Sequence, residues 1–173
     1  MLDTPLVSIE NLRVEFDTND GLVVGVEDVS FEIASGETVC VVGESGSGKS
    51  VTALSTVSLL AGSAEISGSI EYEGEEMVGA SERRLRNKRG NENSFIFQEP
   101  MTSLNPLHTL EKQLTESLSL HQAGTGSQAR SKVIELLEQV GIHDPESRLN
   151  AFPHQLSGGQ RQRVMSAMAL ANG

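Results

Sequence analysis

The chain has 173 residues, 37% hydrophobic and 21% charged, the balance of a folded domain rather than a disordered segment. Its net charge of −11 works against nonspecific attraction to nucleic acid phosphates, and no window approaches the roughly 18 consecutive apolar residues of a membrane span. The first residues, MLDTPLVSIE, have neither the basic region nor the apolar stretch of a signal peptide.

In chain order, Leu12, Val14 and Phe16 alternate with polar residues, as do Val29, Phe31 and Ile33, which predicts two half-buried, antiparallel strands. Ser35-Gly36-Glu37 makes a turn. TVCVV (38–42) follows without alternation, and a short run apolar on both faces predicts a central parallel strand. The single cysteine, Cys40, lies in that run; it has no internal disulfide partner and is expected to be a small buried hydrophobe in a reducing compartment. After a glycine-rich loop, Ser50 to Leu60 reads as a helix, Ile70 and Tyr72 as a short strand, and FIF (95–97) as a buried one. Five of the 13 basic residues fall in RRLRNKR (83–89), which lacks interleaved aromatics and reads as a solvated helix or loop.

From about residue 105 the period changes. Leu110, Leu114 and Leu118 recur every fourth residue, Val133, Leu136, Leu137 and Val140 fit one helical face, and Val164, Ala167, Met168 and Ala171 fit another. Gly141 stands where a helix C-cap belongs, and GTGS (124–127) reads as a loop. The layout predicts a mixed sheet region followed by a helical region, an α/β fold.

GESGSGKS (43–50) satisfies the phosphate-loop pattern G-x-x-x-x-G-K-[ST] at every fixed position, between an apolar run and a helical pattern. Glycines 43, 46 and 48 let backbone N–H groups turn inward around a polyphosphate, with Glu44, Ser45 and Ser47 completing the loop. The partial positive charge of the following helix start favours an anion. Lys49 is expected to reach the β- and γ-phosphates of ATP, and the Ser50 hydroxyl to coordinate Mg²⁺.

LSGGQRQRV (156–164) sets two glycines before a helix, with Ser157 as a hydroxyl donor. One chain rarely needs two such sites for one nucleotide, so the second is expected to serve a nucleotide held by another copy or a homologous subunit. A simple N-cap and turn is the other reading of the same residues.

LSGGQ resembles the signature motif of ATP-binding cassette (ABC) ATPases, GESGSGKS resembles their Walker A loop, and FIFQEPMTSLNP (95–106) resembles their Q-loop in the wording of peptide and nickel importers. The resemblance runs from about Val7 to the last residue. It implies a P-loop NTPase core with a mixed sheet and an inserted helical subdomain, incomplete at the C-terminus: 1–98 as β region and core, 99–165 as Q-loop and helical subdomain ending in the signature. It implies that Gln98 contacts Mg²⁺ and the attacking water, and that residues after it face the transmembrane partner. Ser157, Gly158, Gly159 and Gln160 would close over ATP on the opposite subunit, and Phe16 matches the aromatic that stacks on adenine. Packing on the strand face of Leu12 and Val14 explains Phe16 equally well. His154 is not the family's switch histidine and is expected to be structural or superficial.

Hydrolysis also requires carboxylates that support Mg²⁺ and polarise water. In this family they come from a Walker B strand ending in Asp-Glu. None of the five aspartates here ends an apolar strand, and all four histidines precede or abut the signature. SAMALANG (166–173) thus resembles the signature helix and the turn into Walker B. The expectation is an ABC importer ATPase cut before its catalytic centre, able to bind but not hydrolyse ATP, and marginally stable because apolar sheet surface is uncovered. The implied partners are a second ABC ATPase subunit, transmembrane permease subunits and indirectly a solute-binding protein, at the cytoplasmic face of the inner membrane, with no nucleic acid. A short non-hydrolysing nucleotide-binding protein and a non-transporter ABC ATPase are the alternatives.

Overall fold

The computed structural model describes residues 4–97, 103–121 and 127–171. The chain divides into two compact units, Met1–Arg86 and Asn87–Gly173.

The first unit is built on an antiparallel sheet in the order β2-β1-β3-β4, formed by β1 (Val7–Thr18), β2 (Gly21–Ile33), β3 (Ala64–Tyr72) and β4 (Glu75–Glu76). The two alternating segments are therefore antiparallel partners, as their pattern predicts. Ile9 and Leu12 are three residues apart and would face opposite sides of a regular strand, yet both are fully buried. A bulge reconciles them: the β1–β3 register slips between Glu10 and Arg13, with Asn11 at φ 48° and Gly68 at φ 93°. The β3–β4 hairpin closes through Glu73 (φ 51°) and Gly74 (φ 78°), the two positive-φ positions of a type I′ turn.

The helix after the phosphate loop, α1, covers only Lys49–Ser55 rather than running to Leu60. Side chains end it. The Ser55 hydroxyl donates to the Val51 carbonyl and the Thr56 hydroxyl to that of Ala53, while the Thr56 N–H closes a tighter turn on Ala53. Ser58, at φ 52°, then turns the chain away. The basic run forms a short helix, α2 (Glu82–Lys88), with Leu85 buried and Arg83, Arg84 and Arg86 exposed, as a solvated helix requires.

Two expected strands do not form. Residues 38–42 carry no strand, with Val39, Val41 and Val42 exposed by 40, 52 and 83%, and Cys40 is exposed rather than buried. Residues 95–97 likewise form no strand, and Ile96 and Phe97 are about half exposed. An apolar run becomes a strand only when neighbouring backbones satisfy its N–H and C=O groups. Among the described residues no strand pairs with either segment.

In the second unit, α3 (Leu110–His121), α4 (Ser127–Gln139), α5 (Pro145–Arg148) and α6 (Gly158–Leu170) surround one core. Leu110, Leu114, Val133, Leu137, Val164 and Ala167 are fully buried in it, the positions marked by the helical period. Gly141, at φ 74°, ends α4 as expected: its N–H donates to the Glu138 carbonyl and that of Ile142 to Leu137, a Schellman cap.

Two outcomes follow for the sheet. A methyl group at Gly68 would lie 2.4 Å from the Asn11 carbonyl oxygen, so Gly68→Ala costs about 3 kcal/mol in denaturant titration. Glu76 is subject to burial, which alone would raise its pKa, but the Ser69 hydroxyl and the N–H groups of Val78, Ile70 and Met77 outweigh it and hold the carboxyl below its ordinary value. Its contribution is complete above the ordinary glutamate pKa of about 4.3 and is lost as the pH falls below that value through the lowered pKa of the folded state. The stability difference between the parent and Glu76→Gln therefore shrinks on acidification, as melts from pH 7 to pH 3 will register.

Candidate functional site

The phosphate loop enters from the exposed residues 38–42 and turns at Gly46 (φ 84°) and Gly48 (φ 87°), a conformation that side chains with a Cβ resist. Lys49 folds back over it. Its ammonium donates to the carbonyls of Gly43 at 2.9 Å and Glu44 at 2.7 Å, with the Ser47 hydroxyl at 3.5 Å. The Ser47 N–H closes a turn on Glu44, while Ser45 and Ser50 are exposed. The buried Thr52 anchors α1 beneath, its N–H and hydroxyl both donating to the Gly48 carbonyl. The result is an exposed loop with one cation held over its backbone, an arrangement that suits a polyphosphate.

Gly48 has a second constraint. A methyl group there would lie 2.6 Å from the Gly25 carbonyl oxygen and 3.1 Å from Val26 Cγ2, so strand β2 lies directly against the loop. On Gly25 itself lies the ring of Phe16: a methyl at residue 25 would meet Phe16 Cε2 at 2.7 Å and Cδ2 at 3.3 Å. Phe16 thus touches Gly25, which in turn touches Gly48, and it also packs against the sheet core. Sequence reasoning did not single out Gly25, whose signal is a lone glycine inside a strand pattern.

The signature residues open α6. The Ser157 hydroxyl accepts from the Gln160 N–H at 3.3 Å, and the Gln160 side chain accepts from the Ser157 N–H at 2.9 Å, a capping box. The N-cap reading is thereby realised, and it leaves room for the other one. Ser157, Gly158 and Gly159 are exposed, and a methyl at either glycine would meet nothing within 4 Å. Neither glycine is needed by the fold around it. Arg161 Nε donates to the Pro153 carbonyl and Arg163 to that of Gly141, bracing this helix start. His154 stacks on Phe152 with ring centroids 5.7 Å apart, a surface role.

Gln98 lies outside the described residues. Downstream of it, the loop 105–108 is fixed by Gln113, a buried side chain that accepts from the Asn105 N–H and donates to the carbonyls of Asn105 and His108. That loop holds Leu107 82% exposed. Neither residue stood out in the sequence, where Gln113 is one polar position on a helix.

The ABC transporter family profile matches residues 26–173. The chain belongs to the ABC transporter family. The peptidoglycan transport ATP-binding protein YejF of Agrobacterium fabrum is 57% identical over 97% of this chain and 31% of its own length. The oligopeptide transport ATP-binding protein OppD of Mycobacterium bovis is 42% identical over 98% of this chain and 28% of its own. The chain spans about a third of the length of these curated relatives. A dimeric ATP-binding cassette solved in a post-hydrolysis state with ADP and Pi has a TM-score of 0.83 at 27% identity, over 96% of this chain and 69% of that one. The α/β, P-loop cassette fold read from the motifs is therefore the fold of this ABC chain.

Both motifs of this ABC protein lie inside the matched residues, and their glycines answer to different demands. Gly48→Ala meets backbone and lowers the thermal midpoint. Gly158→Ala and Gly159→Ala leave it unchanged or raise it, since alanine is favoured over glycine in a helix by up to about 1 kcal/mol. A clear loss of stability in either signature variant would mean that the fold, not a partner, requires those glycines.

Proposed function

We propose that this chain forms the nucleotide-binding part of an ABC importer ATPase that couples ATP binding and hydrolysis to uptake of peptides or a similar small solute. The observation that carries the reading is the phosphate loop: two positive-φ glycines and Lys49 held over the loop by the carbonyls it would exchange for phosphate oxygens. The peptidoglycan and oligopeptide transport named for its relatives supports a peptide-type solute.

In the mechanism this supports, Lys49 leaves the Gly43 and Glu44 carbonyls for the β- and γ-phosphates, because a phosphate oxygen is a stronger acceptor than a carbonyl. The loop N–H groups hold the remaining charge, and Phe16 takes the adenine. The exposed Ser50 hydroxyl, a hard oxygen donor, suits Mg²⁺, with Gln98 as a further ligand and contact to the attacking water. The metal would neutralise charge on the phosphates. Ser157, Gly158, Gly159 and Gln160 close over the nucleotide of a second ABC ATPase subunit, and the open space around the two glycines favours that close approach. Walker B carboxylates and a switch histidine are not among these 173 residues.

Among the described residues no helix is long and apolar enough to cross a membrane. Coupling to transport then requires permease subunits, which the protein meets from the cytoplasmic face of the inner membrane, with a solute-binding protein acting indirectly. Leu107, presented on its braced loop just after the Q-loop, is suited to that contact.

Lys49→Ala removes the charge-assisted contacts and weakens binding of a fluorescent ATP analogue by about tenfold or more. Unchanged affinity would sink the nucleotide reading.

A further inference from the structure

We infer that Gly25 is a positioning residue for the nucleotide base: it sets the ring of Phe16 as the base platform and joins that platform to the phosphate loop. The inference rests on the ATP-binding reading above. Three observations carry it.

Gly25 lies inside β2 without a positive φ, so its backbone is one that any residue adopts. It falls at the β1–β2 register shift, between the Val14–Val26 and Glu15–Val24 pairs, where it has no partner residue on β1. What a side chain there would meet is the ring of Phe16, whose Cε2 would stand 2.7 Å from a methyl on residue 25 and would have to shift. The two residues lie on paired strands, where Phe16 is opposite Val23 in the β1–β2 register. The ring therefore leans along the partner strand and covers the bare Cα of Gly25. Rings that cover a glycine in this way are held flat against the sheet.

The same residue faces the loop with its carbonyl. That oxygen would stand 2.6 Å from a methyl on Gly48, so it is in contact with the Gly48 Cα. One residue thus sets two distances at once, ring to strand on its Cα side and strand to phosphate loop on its carbonyl side. A nucleoside triphosphate is a ligand with a base at one end and phosphates at the other, and such a spacer fixes the separation at which both are engaged. A methyl at residue 25 obliges the ring to move, since the carbonyl contact is backbone and the ring is the part free to turn.

The test compares ATP with inorganic tripolyphosphate, which offers the phosphates without the base, as competitors of a fluorescent nucleotide on the full chain. Gly25→Ala is expected to weaken ATP by about fivefold or more, the scale of one base–aromatic stack, while tripolyphosphate changes less than about twofold, which also shows that the loop is intact. In a Phe16→Ala background, Gly25→Ala is expected to add nothing, because the ring it displaces is gone. Equal weakening of both ligands by Gly25→Ala, or an additive effect of the two substitutions, would overturn the positioning role. If Phe16→Ala itself leaves the preference for ATP over tripolyphosphate intact, the base-stacking reading fails and this inference with it. If the parent binds neither ligand, it is the nucleotide reading that fails.

Discussion

The phosphate loop depends on the close approach of two backbones, Gly48 against the carbonyl of Gly25. The loop closes one turn of its own, Ser47 N–H to the Glu44 carbonyl, and the rest of its shape comes from what it rests on. Here it rests on β2 from one side and on the buried Thr52, bonded twice to Gly48, from the other. The bulged strand β1 then supplies Phe16 on the far side of Gly25. Its bulge turns both Ile9 and Leu12 into the core, and its paired strand β2 carries Val26, which contacts Gly48. Loop, strand and ring form one chain of contacts.

The second unit follows a different logic. Its core is made mainly by three helices whose apolar faces repeat along the chain, and the exposed signature glycines and Leu107 lie where that packing stops. At the start of α6 a capping box satisfies the local donors while leaving Gly158 and Gly159 bare. On the loop before α3, a buried glutamine completes three hydrogen bonds and Leu107 is pushed into solvent. A buried polar side chain that satisfies only a loop is an expensive way to stabilise a fold. It is a direct way to give a loop one shape. The same economy holds at the signature, where glycine is kept although nothing within reach of its Cβ demands it.

The apolar runs 38–42 and 95–97 mark the limit of local reasoning. Their composition is that of buried strands, yet both are exposed and unpaired among the described residues. Strand formation is decided by neighbours, because the hydrogen bonds that define it lie between segments. Helix formation is decided mainly within a segment, and the helical periods read from Leu110, Val133 and Val164 correspond to fully buried positions. The overlong reading of α1 has a local cause as well, in hydroxyls at Ser55 and Thr56 that compete for helix carbonyls.

Contiguous residues alone therefore determined the phosphate loop, the signature, the family and the helical core, since each is written in spacing over a few turns. They left Phe16 balanced between adenine platform and core residue, and gave no sign that Gly25 or Gln113 mattered. Only the tertiary structure shows what Gly25 and Gln113 touch, because each acts on residues distant along the chain or in the next element: Gly25 on Phe16 and Gly48, Gln113 on the loop that carries Leu107. A glycine's role is set by what would occupy the space of its missing side chain, and that is a property of the fold.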